Sequence, residues 1–153
     1  MSLIFFSLGE QVKRAVMAGC YFALTACHRP SDQVLRATFS AKQQAFQEVA
    51  AEVDAERLRG YITPSQQRAL LDKLQSPLKR EPFRLAHRDD GTVLFGYSAY
   101  GLSVAGSRKG IARVPPKSLR FYEVLDPDSP WPRKEGEFLK PIQADWYVYE
   151  IDT

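Results

Sequence analysis

Apolar positions recur at helical spacing through the first half of the chain and alternate through the second. Leu35, Phe39, Phe46, Val49, Ala50 and Val53 lie three, four or seven residues apart, which places them on one stripe of a helix running from residue 32 to about Leu58. Lys42, Gln43, Gln47, Glu48 and Glu52 occupy the other faces. Ser31 or Asp32 caps the start by accepting a hydrogen bond from an early backbone amide, and Gly60 supplies the left-handed residue that ends it. A second helix opens on Thr63-Pro64-Ser65-Gln66, which combines an N-cap, a proline suited to the first helical position and a glutamine that completes a capping box. Ala69, Leu70, Leu71 and Leu74 form its buried side, and Pro77 stops it.

From Phe83 the period shifts towards two. The spacing predicts a hairpin, with strands over 84–88 and 92–98 joined at Asp89-Asp90-Gly91. A second strand pair, Leu102–Ala105 and Ile111–Val114, is expected to join through Gly106-Ser107-Arg108-Lys109-Gly110 before Pro115-Pro116 breaks the ladder. Ser118–Leu125 reads equally as a strand or a short helix, and the prolines from Asp126 to Pro141 read as an ordered loop. Ala144–Ile151 is a strong strand, with Trp146 and Val148 on one face and Tyr147, Tyr149 and Ile151 on the other. Apolar residues on both faces imply a well-covered strand. The expected fold is therefore α+β over residues 32–153, with two N-terminal helices packed on a mostly antiparallel sheet of four to six strands.

The segment before this domain has a different logic. Lys13-Arg14 precede twelve uncharged residues, Ala15 to Ala26, which end in Leu24-Thr25-Ala26-Cys27. That run is too short for a stable membrane span, which needs about 20 residues. The pattern resembles a bacterial lipobox. The resemblance implies a signal peptide over 1–26, cleavage before Cys27, a diacylglyceryl group on the Cys27 sulfur, and a lipidated tether over 27–31. It also implies a lipid-anchored protein of the bacterial cell envelope, on the inner or the outer membrane. Residues 1–11 place a second apolar stretch ahead of the positive charge, so translation is expected to start at Val12.

Composition narrows the remainder. Hydrophobic content of 44% and charged content of 25% suit a globular domain. Cys20 leaves with the leader and Cys27 is spent on lipid, so no intramolecular disulfide is expected. Removing Lys13, Arg14 and Glu10 from 21 basic and 18 acidic residues leaves 19 and 17, a net charge of +2 that selects no partner. Nucleic acid is not an expected partner, and the sequence sets no oligomeric state.

Candidate chemistry is sparse. Gly106 to Gly110 presents backbone amides and two cations in the manner of an anion-binding nest, without P-loop spacing. Arg108, Lys109 and Arg113 are the candidate anion or partner site. With Lys117 and Arg120 they fall in an acid-free stretch of thirteen residues. Ser103 misses nucleophile-elbow spacing by one residue, and His87 is the sole general-base candidate beyond the tether's His28. Asp89 and Asp90 read as turn residues, and no metal or cofactor is expected.

Ser31-Asp32 with Leu35, Phe39 and Phe46, together with segments 90–95, 101–110 and 140–147, resemble a family of small uncharacterised bacterial proteins, many of them lipoproteins. The resemblance implies one domain and an envelope address, and it carries no assigned activity. The expected role is a non-catalytic, membrane-tethered interaction module with a protein partner. The alternatives are a small hydrolase using Ser103 or His87, or a module binding anionic lipid or glycan. A GTG codon at Val12 behind a ribosome-binding site supports the later start, and any other valine codon there overturns it.

Overall fold

The computed structural model describes residues 29–99 and 107–153. It is an α+β structure with a seven-stranded, mostly antiparallel sheet, so the expectation of four to six strands is corrected upward. The strands are β1 (Gly60–Tyr61), β2 (Arg84–His87), β3 (Val93–Ala99), β4 (Arg108–Arg113), β5 (Glu123–Val124), β6 (Gly136–Gln143) and β7 (Trp146–Asp152). They lie in the order β1-β2-β3-β4-β7-β6-β5, and only β5 and β6 run parallel.

The expected N-terminal helix pair is also corrected. The stripe predicted as one helix is two, α1 (Asp32–Ala41) and α2 (Gln43–Ala55), broken where Lys42 leaves helical backbone at φ −133°. Ser31 caps α1 by accepting from the Val34 amide. Both Arg57 (φ 52°) and Gly60 (φ 70°) take positive φ after α2, but it is Arg57 that follows the helix cap directly, while Gly60 opens β1. The helix begun by the Thr63 capping box, α3 (Pro64–Lys73), follows that strand and so does not belong to an N-terminal pair.

The three α-helices of the described residues all contribute to one face of the sheet. Phe39, Phe46, Phe95 and Trp146 form its centre, with ring centroids 4.9 Å apart for Phe39 and Trp146 and 5.0 Å for Phe46 and Phe95. Such aromatic pairs add to what burial alone contributes. On the opposite face, Ala112, Val114, Leu139, Tyr147, Tyr149 and Ile151 form a second cluster, against which Leu119 and Tyr122 pack.

Three further expectations change. Arg108, Lys109 and Gly110 belong to β4 instead of a turn, while the predicted strand Leu102–Ala105 lies outside the described residues. The ambiguous 118–125 segment is both structures in succession, a 3₁₀ turn over Pro116–Phe121 and then β5. The end of the expected proline loop is β6, which admits Pro141 because the register shifts between Pro141 and Gln143. A bulge is one of the few places where a strand loses little by lacking an amide proton.

The open side of β2 is closed in two ways. β1 pairs with its far end, and the Gln67 side chain from α3 meets its near end. Gln67 Oε1 accepts from the Leu85 amide at 3.0 Å and Nε2 donates to the Phe83 carbonyl at 3.0 Å, imitating a neighbouring peptide group.

Gly110 is the tightest point of the sheet, since an added Cβ would run into the Phe95 carbonyl oxygen and the Tyr149 ring. Gly110→Ala should therefore cost about 1–3 kcal/mol of stability, the range expected for overpacking. Urea unfolding monitored by circular dichroism measures it, and an unchanged midpoint contradicts the close approach.

Candidate functional site

Strand register places Arg84, Gly96, Gly110 and Tyr149 in one row across β2, β3, β4 and β7 on the outer face, away from the helices. Two adjacent glycines leave the middle of that row without side chains. Tyr149 leans into the space, its ring carbon 2.9 Å from where a Gly110 Cβ would stand and its hydroxyl 3.0 Å from a Gly96 Cβ. Beside this row lie Ala86 and Leu94, also small or apolar.

The result is an open groove of about 670 Å³. Its floor is Leu94, Gly96 and Tyr149, its lip is Tyr61, and Arg84 and Arg108 stand at its edge. Pro82, Phe83 and Tyr97 line it where it reaches the end of the sheet. Neither arginine has a carboxylate partner among the described residues. Burial pushes the Tyr149 hydroxyl's pKa well above its ordinary value against the opposing pull of Arg108, so it stays a neutral hydrogen-bonding group. An apolar floor with a few convergent polar groups is the usual form of a binding site, and this volume lies in the usual range.

The other charges on β4 are spent internally. Lys109 is buried on the helix face and pairs with Asp32, to which Lys140 also donates at 2.8 Å. Trp131 donates its indole N–H to the same carboxylate at 2.9 Å, and both ammonium groups sit over its ring, at 5.2 Å for Lys109 and 4.4 Å for Lys140. Burial works to raise the Asp32 pKa, but the hydrogen bonds from Lys109, Lys140 and Trp131 outweigh it and bring it down to about 2. Next to this node, Arg29 forms an ion pair with the buried Glu150, which faces Lys109 across the β4–β7 ladder.

Arg113 is four positions along β4 from Lys109, and its guanidinium contacts Asp54 at 2.5 Å. The three cations expected to form one site are thus not brought together. Lys109 and Arg113 are neutralised at opposite ends of the helix face, and Arg108 stands on the outer face beside the groove. Lys117 and Arg120 are exposed on the 3₁₀ turn, where Arg120 stacks on Phe121 at 4.8 Å.

His87 is buried beneath the turn between α2 and β1. Nδ1 lies 2.5 Å from the Leu58 carbonyl oxygen and 2.7 Å from the Arg59 guanidinium, and Nε2 lies 2.9 Å from the same guanidinium and 3.2 Å from Asp54. Both ring nitrogens therefore hold the chain in place. Asp90 accepts from the Thr92 amide and through its backbone carbonyl from Ser118, as turn chemistry requires. Among the described residues no group of three metal-ligating side chains converges. Cys27 and Ser103 lie outside the described residues.

Sequence reasoning missed Arg84, Leu94, Gly96 and Tyr149 as a set, and Trp131 and Lys140 as partners of Asp32. The available signal was one glycine in each of two facing strands, Gly96 and Gly110, in register with Tyr149. Compared with known proteins, the chain matches no family model, no curated protein and no solved structure.

The Asp32 node gives a signed pH dependence. Because its carboxyl pKa falls from 3.8 to about 2 on folding, its contribution is complete above the unfolded value and disappears as pH drops through the folded one. Asp32→Asn should cost about 3 kcal/mol at neutral pH, because it leaves two buried ammonium groups unpaired. The gap between wild type and variant should then close as pH falls from 3.8 to about 2, measured as urea midpoints along a pH series. A gap that does not change with pH contradicts the assignment.

Proposed function

We propose that this chain is a non-catalytic, membrane-tethered binding module of the bacterial cell envelope, held by lipid on Cys27, with the outer groove as its binding surface. The observation that carries the binding role is the pair Arg84 and Arg108, unpaired among the described residues beside an apolar floor. Two charges left at the edge of an apolar groove suit a partner that is itself apolar with an anionic group. The address rests on the charged, apolar and small-residue order of residues 13–27.

The hydrolase alternative is disfavoured by His87, whose ring is buried and whose two nitrogens are both engaged by protein groups. A general base needs a free nitrogen within reach of the proton it removes.

Growth with labelled palmitate tests the anchor. Wild type should incorporate label and fractionate with membranes, while Cys27→Ser should remain unlabelled and uncleaved. An unlabelled, soluble wild type overturns the proposal.

A further inference from the structure

Resting on the reading of the outer groove as a binding surface, we infer that its partner is an extended segment of another protein. That segment carries two acidic side chains four residues apart and an apolar side chain midway between them. The acids pair with Arg84 and Arg108, and the apolar side chain sits on Leu94 and Gly96.

The spacing comes from the sheet. Gly96 faces Arg84 and Gly110 faces Gly96, so Arg108 stands two strands across and two residues along from Arg84, on the same face. At about 4.8 Å between strands and about 3.3 Å per residue, their Cα atoms are about 12 Å apart. In an extended chain, side chains four residues apart project on one side at about 13 Å from each other. The residue midway projects on that side as well, and it meets the part of the groove that holds no charge.

The floor there is apolar with one donor. Leu94 and Ala86 are half-buried on the outer face, and the exposed Tyr61 ring stands beside them. The Tyr149 ring fills the hollow over Gly110 and brings its hydroxyl against Gly96 at the groove floor. Tyr149 is only 3% exposed, and this hydroxyl has no hydrogen-bond partner among the described residues. A buried donor left unmet is costly, and a carbonyl of an extended segment crossing Gly96 meets it.

Charge favours a peptide over other anions. Arg84 also lines a second hollow, of about 400 Å³, beside α3. Arg68 stands exposed there without a partner among the described residues, while Lys79 is paired with Asp72 at 2.8 Å. Three guanidiniums without a carboxylate thus follow one another from α3 across the outer face, and a segment with separated acids meets them in turn. A nucleic-acid strand, charged at every nucleotide, sets a phosphate over the apolar floor where no cation answers it. An amphiphile with a single anionic group leaves most of the line unmet. The planar fork of arginine pairs with a carboxylate through two parallel hydrogen bonds, which fixes the register of the segment as well as holding it.

The test is native mass spectrometry of the full-length protein in non-ionic detergent with the end-capped peptide Gly-Asp-Ser-Phe-Ser-Asp-Gly. A one-to-one adduct is expected. It should weaken at least about tenfold in Gly-Asp-Phe-Ser-Ser-Asp-Gly, where the phenylalanine turns to the opposite side of the extended chain. Arg84→Glu/Arg108→Glu should weaken the first peptide at least about thirtyfold and Tyr149→Phe about fivefold. Lys117→Glu/Arg120→Glu, on the 3₁₀ turn outside the groove, should leave it unchanged. Thermal melts matching wild type establish that the variants are folded, and the comparison of the two peptides needs no variant. Equal binding of both peptides, equal binding of heptathymidylate, equal loss in the Lys117/Arg120 variant, or no peptide adduct overturns the inference. Naphthalene-2-sulfonate, an apolar anion that is not a peptide, separates this failure from failure of the groove. Its adduct, lost in the Arg84/Arg108 variant but unaccompanied by a peptide adduct, overturns the peptide alone, whereas absence of both adducts overturns the groove as a binding surface.

Discussion

The carboxylate of Asp32 gathers three segments that the chain presents far apart: β4 through Lys109, β6 through Lys140, and the proline-containing connection before β6 through Trp131. Two lysines buried at the end of a sheet are costly unless their charge is met in place. The partner comes from the first residue of α1, so that helix cannot shift along the sheet without exposing the cost. The aromatic centre packs to one register of α1 because this ionic contact sets where the helix begins. Arg36 adds to it by donating to the Pro141 carbonyl at 2.7 Å.

The same economy of charge divides the molecule. On the helix face, lysines and arginines are consumed by Asp32, Asp54 and Glu150, and even the buried histidine is occupied by backbone and by Arg59. On the outer face the glycine row removes side chains where a sheet would ordinarily be covered, and two arginines stand unneutralised among the described residues. Positive charge in this chain therefore has two uses that composition alone does not separate.

Periodic features were readable in the sequence. The apolar stripe, the Thr63 capping box, the turn at Asp89-Asp90-Gly91 and the two-faced final strand all express local rules. The break at Lys42 was not readable, because Phe39 and Phe46 are seven residues apart whether one helix or two connects them. β6 was hidden by Pro141, whose place at a bulge depends on the neighbouring strand. Lys109 and Arg113 read with Arg108 as one candidate anion site, since burial of a strand lysine becomes plausible only when a distant carboxylate is known to meet it. The groove was illegible for a related reason: Gly110 is informative only beside Gly96 and Tyr149, and that row is assembled from three strands.

Gln67 has a bearing on life at high density. An open strand edge is a template for pairing with another copy, the more so where copies are crowded. By standing in for a neighbouring strand along Phe83–Leu85, the Gln67 amide takes up the hydrogen bonds a second sheet would need. β1 covers the remainder of β2, and the opposite edge is only the two residues of β5. One side-chain amide thus helps copies of this chain stay crowded without zipping their sheets together.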